Sequence, residues 1–173
     1  MADKYVELAF KTIKTFIKDD KIINVNALEL PKELTEKRAG AFVSVHLKNG
    51  ELRGCIGTFL PTRRNIAEEI IYNAVAAASE DPRFSPIRPD ELDNLEISVD
   101  ILSMPEAVDS VKKLNHKKYG VIVRSGRKSG LLLPDLEGVN TVEEQISIAA
   151  RKAGIDLKQD KIELFRFSVE RHK

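Results

Sequence analysis

The chain has 173 residues, of which 42% are hydrophobic and 32% are charged, a balance typical of one globular domain with a sizeable core. Its 28 lysines and arginines nearly cancel its 27 aspartates and glutamates, so the net charge is +1. No general positive field is therefore available to attract nucleic acid or an anionic membrane. We find neither a signal segment nor an apolar run long enough to span a bilayer, so we expect a cytoplasmic protein that does not associate with membranes.

Apolar residues at helical spacing predict a first helix over residues 3–18, with Asp3 as its N-cap and Asp19-Asp20 as its end. Residues 19–39 follow as a covering loop with a short helical turn. Two β-rich runs within residues 41–59 flank Asn49-Gly50, which predicts a hairpin with a two-residue type I′ turn.

The later elements alternate between helical and strand patterns. An Ala-rich helix capped by Thr62 is predicted over 63–79 and ends at Asp81-Pro82, because the residue before a proline disfavours helix. The remaining predictions are a half-buried strand at 95–102, a hairpin of 121–124 and 131–133 with a basic loop at 125–130, a helix from Thr141 to Gly154, and a strand at 162–169.

This order of elements indicates an α+β fold with a largely antiparallel sheet flanked by helices. We expect a single domain over residues 1–173, with a minor lobe at about 104–133, which is rich in small turns.

The first hairpin is the segment with the most chemistry. A two-residue loop pairs His46 with Arg53 and Ser44 with Cys55, and alternation then gives the hairpin one apolar and one polar face. The polar face is predicted to hold Phe42, Ser44, His46, Arg53, Cys55 and Gly57. Such a face resembles the floor of a pocket.

Cys55 is the only cysteine, which excludes an internal disulfide and a Cys-x-x-Cys redox pair. A cysteine is nucleophilic as the thiolate, which a nearby Arg53 or protonated His46 would favour. Cys55 is therefore the candidate nucleophile and His46 a weaker candidate base. The alternative is that Cys55 is a buried small apolar group, as free cysteines often are.

Arg53 is also a candidate for binding a carboxylate or phosphate in a bidentate manner. Gly54 and Gly57 have two interpretations: they leave main chain open to a ligand, or they let the Ala-rich helix pack closely. The three histidines, His46, His116 and His172, show no metal-ligand spacing, so we predict no metal site, and the sequence indicates no particular cofactor.

The segment Leu52-Arg53-Gly54-Cys55-Ile56-Gly57-Thr58 closely resembles the central motif of the AMMECR family, called AmmeMemoRadiSam system protein A in prokaryotes. Gly40-Ala41-Phe42-Val43, residues 79–86, residues 130–134 and Lys152-Ala153-Gly154 follow the order of that family. The resemblance implies two unequal lobes with the cysteine motif near their cleft. It implies no settled activity, and the prokaryotic name implies association with a Memo-like protein and a radical SAM protein.

The loop Asp81-Pro82-Arg83-Phe84 also matches the family. It either carries Asp81 and Arg83 toward the hairpin to contact a ligand, or it is a helix-ending loop held by a local Asp–Arg pair. The candidate ligand-binding residues are Ser44, Arg53, Gly54, Gly57, Asp81 and Arg83.

Two function classes follow. The first is a small-molecule enzyme or enzyme component, in which Arg53 orients a small anionic ligand and Cys55 acts as nucleophile or acceptor. The second is a non-catalytic partner protein of the Memo-like and radical SAM proteins. Single-stranded nucleic-acid binding is disfavoured because the charge is balanced and only 6% of residues are aromatic.

Overall fold

The computed structural model describes residues 3–173. Its helices are α1 (Lys4–Asp19), α2 (Lys32–Thr35), α3 (Ile66–Ser79) and α4 (Val142–Lys152), with 3₁₀ segments at Val25–Ala27, Pro89–Asn94 and Val111–Lys113. Its strands are β1 (Gly40–Leu47), β2 (Leu52–Thr58), β3 (Leu95–Leu102), β4 (Glu106–Val108), β5 (Gly120–Ser125), β6 (Lys128–Leu132), β7 (Glu163–Phe167) and β8 (Val169–His172). The α+β class is confirmed, with the strands divided between two sheets.

The first sheet has the strand order β2-β1-β3-β8, and β1 pairs antiparallel with both of its neighbours. Helices α1 and α3 pack on one face of this sheet. The core there is built from fully buried side chains of alternate strand positions, such as Val43, Val45 and Val99, and of helix residues such as Ile13 and Ile70. The other face of the sheet therefore carries the intervening positions of the same strands.

The second sheet has the strand order β4-β7-β5-β6, with β5 antiparallel to both β6 and β7. Helix α4 packs on β5 and β6, and a second buried cluster includes Val121, Val123 and Ala149. A Cβ atom at Gly130 would collide with the Ala149 carbonyl, so a glycine is needed where α4 approaches β6.

The chain divides into two compact units. One takes in the residues up to Leu102 together with Glu170–Lys173, and the other is Ser103–Val169. Residues 104–133 lie in the second unit, which also contains α4 and β7. That residues 1–173 form a single domain with a minor lobe and a cleft stays a prediction. Among residues 3–173, no helix combines the length and apolar character needed to cross a membrane.

Several element boundaries differ from the sequence prediction. Helix α3 begins after Asn65, whose side chain caps the Glu68 amide, and not after Thr62. The predicted last strand at 162–169 corresponds to β7 in the second sheet, and β8, which the sequence did not predict, follows it in the first sheet. The loop of the second hairpin is only Gly126-Arg127, since Ser125 pairs with Lys128, and the positive φ of Gly126 (58°) fits the first central position of a type II′ turn.

Candidate functional site

The turn of the first hairpin contains three residues, so the predicted two-residue turn is wrong. The Gly50 amide donates to the Leu47 carbonyl at 2.8 Å, and the Leu47 amide donates to the Glu51 carbonyl at 2.8 Å. Gly50 has a φ of 89°, the left-handed conformation that completes a three-residue loop. Leu47 therefore faces Glu51, and His46 pairs with Leu52 instead of Arg53.

A β-bulge corrects this one-residue difference farther along the hairpin. The register shifts between Val45 and His46, which leaves Arg53 as the extra residue of β2. Beyond the bulge, Val45 pairs with Gly54 and Ser44 with Cys55, as the sequence predicted. The prediction placed Cys55 correctly because the longer turn and the bulge cancel each other.

A row of three small polar side chains crosses the face of the first sheet that lies opposite α1 and α3. Ser44 in β1 is the partner of Cys55 in β2 and of Ser98 in β3. The Oγ of Ser44 and the Sγ of Cys55 are 3.2 Å apart and share a hydrogen bond. We call Cys55, Ser44 and Ser98 the polar row; all three residues are half-buried.

A shallow cavity of about 440 Å³ lies next to the polar row. His46, Glu96, Ser98 and Lys173 line it, together with Gly50 at the hairpin turn. His46 and Glu96 are cross-strand partners, and Ser98 belongs both to this cavity and to the polar row. His46 thus lies on the same face as Cys55, but within residues 3–173 no hydrogen bond joins the two side chains.

Two charged side chains hold the main chain of Cys55 from outside the sheet. Because β2 is an edge strand, the Cys55 amide is not needed by another strand, and it donates to Asp81 Oδ2 at 2.9 Å. Arg83 Nη2 donates to the Cys55 carbonyl at 3.4 Å. We call this pair of contacts the Asp81–Arg83 clamp.

The two members of the clamp are also paired with each other. Arg83 donates to Asp81 through Nε (3.0 Å), Nη2 (2.8 Å) and its main-chain amide (3.1 Å). The Asp81 side chain is only 2% exposed, and the Arg83 hydrogen bonds keep its pKa well below the usual range of an aspartate, so it is ionised at neutral pH. The local Asp–Arg pair expected from the sequence is present and also reaches the hairpin, whereas contact of these residues with a ligand stays a prediction.

Arg53 has a different environment from the one predicted. Its Nε and Nη2 donate to the two carboxylate oxygens of Glu91 at 2.7 and 3.0 Å. Nη1 and Nη2 also donate to the carbonyls of Ser85 and Pro86 at 2.9 and 3.3 Å. Four of its five N–H groups are therefore used within the protein, and this guanidinium stabilises the 85–91 segment against the edge strand.

The surroundings of the thiol favour its neutral form. Burial raises the pKa of Cys55, and the neighbouring carboxylates of Asp100 and Asp81 raise it further. The Ser44 hydrogen bond and the positive charge of Arg83 act in the opposite direction but do not outweigh burial. The cation near the thiol is thus Arg83, whereas Arg53 and His46 were the expected ones.

The space beside the two glycines of β2 is occupied by other atoms of the protein. A Cβ at Gly54 would collide with the Ala77 carbonyl of α3, which fits the interpretation that this glycine permits close helix packing. A Cβ at Gly57 would collide with the ring of Phe42, its cross-strand partner. Their main chain is therefore covered by Ala77 and Phe42.

Three residues next to the site were not identified from the sequence. Ser98 and Asp100 belong to the alternation that predicted β3, and their place opposite Ser44 and Phe42 depends on strand pairing that the sequence did not reveal. Asp100 is 3% exposed and accepts two hydrogen bonds from Arg171 of β8, at 2.8 and 3.0 Å. Glu91, the partner of Arg53, had no recognisable sequence signal.

Within residues 3–173, no group of three or more histidine, cysteine, aspartate or glutamate side chains is arranged to bind a metal ion.

Comparison with known proteins gives relatives along the whole chain. A protein of Thermotoga maritima is 54% identical over 169 residues, which cover 98% of this chain and 97% of that protein. A protein of Clostridium acetobutylicum is 48% identical over 171 residues, 99% of this chain, but the chain spans only 36% of that longer protein.

A solved structure shares the fold. The crystal structure of an uncharacterized protein from Pyrococcus horikoshii superposes with a TM-score of 0.87 at 32% identity, covering 96% of this chain and 88% of that chain. The family model described as AMMECR1 matches residues 6–172, a span that contains the hairpin, the clamp and the polar row. The chain therefore belongs to the AMMECR1 family.

Proposed function

We propose that the polar row binds a small molecule and that the chain is a small-molecule enzyme or an enzyme component. The observation that carries the proposal is the Asp81–Arg83 clamp on the main chain of Cys55. A buried ionised carboxylate is costly, and here its acceptor capacity is used to fix one residue of an edge strand. Fixing the main chain pre-organises the thiol beside the Ser44 and Ser98 hydroxyls, as a binding or catalytic site requires.

The ligand we propose is a small anion, with Arg83 as its positive contact. The Arg83 side chain is 56% exposed, and its Nη1 has no hydrogen-bond partner in the described part of the chain. Its charge also acts on the Cys55 thiol. Arg83 therefore replaces Arg53 in this role, because the Arg53 guanidinium is already bound to Glu91 and two carbonyls.

The neighbouring cavity supports a ligand larger than a single anionic group. It holds the His46 imidazole and the Glu96 carboxylate next to Ser98, so hydrogen-bond donors and acceptors continue beyond the polar row. In this proposal His46 contacts the ligand, and Cys55 meets it as a neutral, polarizable thiol. An enzyme would have to deprotonate that thiol once the ligand is bound.

A non-catalytic role is the second candidate, and the raised pKa of Cys55 favours it. A thiol that stays neutral is a poor nucleophile but a suitable packing or contact group. In this case the same surface binds a partner protein, with a Memo-like protein and a radical SAM protein as the candidates.

Metabolite profiling separates these possibilities. The purified protein and its Cys55→Ser variant are each incubated with the small-molecule fraction of a cell extract, and both mixtures are followed by mass spectrometry. An enzyme depletes a compound with time in the wild-type sample only. A binding component leaves all masses unchanged, but a compound retained on the wild-type protein protects Cys55 from iodoacetamide.

Ser98→Ala is the matched variant, because it removes one hydroxyl of the polar row and leaves the thiol in place. We expect it to weaken the protection. If no compound is depleted, none is retained on the protein and none protects Cys55 from iodoacetamide, the polar row is not a small-molecule site.

A further inference from the structure

A second polar site lies at the start of α3, away from the polar row. Arg38, Arg63 and Arg64 surround a cavity of about 620 Å³, with the ring of Tyr72 on one side. All four residues are exposed. Three guanidinium groups outnumber the single carboxylate of the lining, Glu68, so the cavity is locally positive although the net charge of the whole chain is only +1. We call this group the arginine pocket.

The guanidinium groups of the arginine pocket are positioned, yet they keep free donors. Arg38 donates through Nε and Nη2 to the carbonyls of Arg63 and Pro61, at 3.0 and 3.4 Å, and its Nη1 remains available. The Arg63 guanidinium lies 3.7 Å from the centre of the Tyr72 ring, a cation–π contact that uses no N–H group. Within residues 3–173, the Arg63 guanidinium has no hydrogen-bond acceptor.

A buried network fixes the loop that carries two of these arginines. Glu69 is 1% exposed and accepts from the amides of Thr62 and Arg63, both at 2.8 Å. It also accepts from the hydroxyls of Thr62 and Thr58 at 2.7 and 2.6 Å. Asn73, which is 6% exposed, donates to Thr58 Oγ1 at 3.2 Å.

This network matters for function because burying a carboxylate is costly without such partners. Burial raises the pKa of Glu69, but the hydrogen bonds from Thr58, Thr62 and Arg63 outweigh it and lower the pKa overall, so the buried group is an anion. What the anion stabilises is the conformation of an exposed loop.

We propose that the arginine pocket binds the phosphate group of a small phosphorylated molecule. A guanidinium presents parallel N–H groups that match two phosphate oxygens, and Arg63 has all of its donors available for this. A cavity of about 620 Å³ has the size of a small-molecule site. Glu68, the one acidic residue of the lining, lies with Oε1 3.7 Å from Arg64 Nε and leaves the other two arginines unpaired with a carboxylate. The site is independent of Cys55 and of the function proposed above.

The test uses inorganic pyrophosphate as the probe and isothermal titration calorimetry at low ionic strength. Wild-type protein should bind it, and Arg63→Gln should raise the dissociation constant about tenfold or more. Arg63→Lys keeps the charge and loses the planar fork, so it should restore only part of the affinity. Arg63→Gln removes no hydrogen bond of the fold and only the cation–π contact with Tyr72, so its melting temperature should fall by no more than a few degrees.

The matched control is Arg127→Gln, which removes the same charge from the exposed turn between β5 and β6. It should leave the dissociation constant within about twofold, since Arg127 is not among the residues that line the arginine pocket. Equal losses in both variants would mean a general charge effect and would overturn the proposal. The proposal would also be overturned if the wild-type protein did not bind pyrophosphate. Binding of a polyglutamate peptide in place of pyrophosphate would count as the same result, since it would indicate an acidic protein partner and not a phosphate site.

Discussion

Asp81 Oδ2 accepts a hydrogen bond from the main-chain amide of Cys55 at 2.9 Å. The cysteine of the central motif is therefore held in place by a carboxylate of the loop that follows α3. The bond joins an edge strand to the loop beside it, where a strand amide would otherwise face water. The same carboxylate accepts three bonds from Arg83. The orientation of Cys55 and the conformation of the 81–83 loop therefore depend on one buried group.

Asp81→Asn should destabilise the protein by about 2–4 kcal/mol at pH 7, because four hydrogen bonds lose their ionised acceptor in a buried place. Chemical denaturation of both proteins measures this difference. The folded protein holds the Asp81 pKa below its unfolded value of about 3.9, so its contribution is complete above that pH and is lost as the pH falls through the folded value. The two stability curves should converge in acid; a constant gap down to the lowest pH would contradict this account.

Cys55 should react slowly with iodoacetamide at neutral pH, with half-maximal reaction above the ordinary value of about 8.5 for cysteine. Ser44→Ala should move that midpoint higher, because the Ser44 hydroxyl donates to the thiolate and stabilises it. Ser98→Ala is the control, since within residues 3–173 Ser98 makes no hydrogen bond to the thiol. A midpoint below that of free cysteine would show that the thiol is activated.

Arg53→Gln should lower stability by about 2 kcal/mol and leave the Cys55 pH profile unchanged. Its guanidinium binds Glu91 and the carbonyls of Ser85 and Pro86, and its loss removes those bonds. Arg83→Gln, in contrast, should change the Cys55 pH profile: removing the nearby cation raises the pH of half-maximal alkylation. Alkylation of both variants followed by mass spectrometry gives the comparison, and a shifted profile in Arg53→Gln would restore the original assignment of Arg53.

Gly54→Ala should be far more harmful than Gly57→Ala. At Gly54 the added methyl group meets the carbonyl of Ala77 in α3, which moves only if the helix moves. At Gly57 it meets Cγ of the Phe42 ring, and this side chain can move away by changing its χ1 rotamer while the main chain stays in place. We expect a loss of about 3 kcal/mol or failure to fold for the first, and about 1 kcal/mol for the second. Thermal melting of the two variants tests the order, and equal losses would mean that Phe42 is as fixed as α3.

The sequence predicted local structure and the place of Cys55 well, but not the partners of the charged residues. Asn49-Gly50 identified the turn, and the later register was correct only because the bulge at Arg53 compensates for the third loop residue. Bulges have no reliable sequence signal here, since Arg53 followed by glycine fits a regular strand equally well. The Arg53–Glu91 pair spans 38 positions and forms only in the folded chain, so local pattern could not reveal it.

The buried network beneath the arginine pocket gives the last prediction, because its hydroxyl groups can change roles. In Glu69→Gln, the remaining oxygen can accept the Thr62 and Arg63 amides while the new NH₂ group donates to the hydroxyls of Thr58 and Thr62, which are able to accept. The loss should be about 1 kcal/mol, the difference between charge-assisted and neutral hydrogen bonds.

Glu69→Met keeps the length of the side chain and leaves all four donors without their acceptor, so it should cost about 3 kcal/mol. Amide hydrogen exchange gives the local readout: the Thr62 and Arg63 amides should stay protected in Glu69→Gln and exchange rapidly in Glu69→Met. If the loop is fixed for phosphate binding, a variant that loses protection of the Thr62 and Arg63 amides should also lose pyrophosphate affinity. This loss is expected although the Glu69 side chain makes no hydrogen bond to the guanidinium groups of the arginine pocket within residues 3–173. Unchanged affinity in a protein whose loop amides exchange freely would mean that the arginines bind without pre-organisation, and that the buried carboxylate serves stability alone.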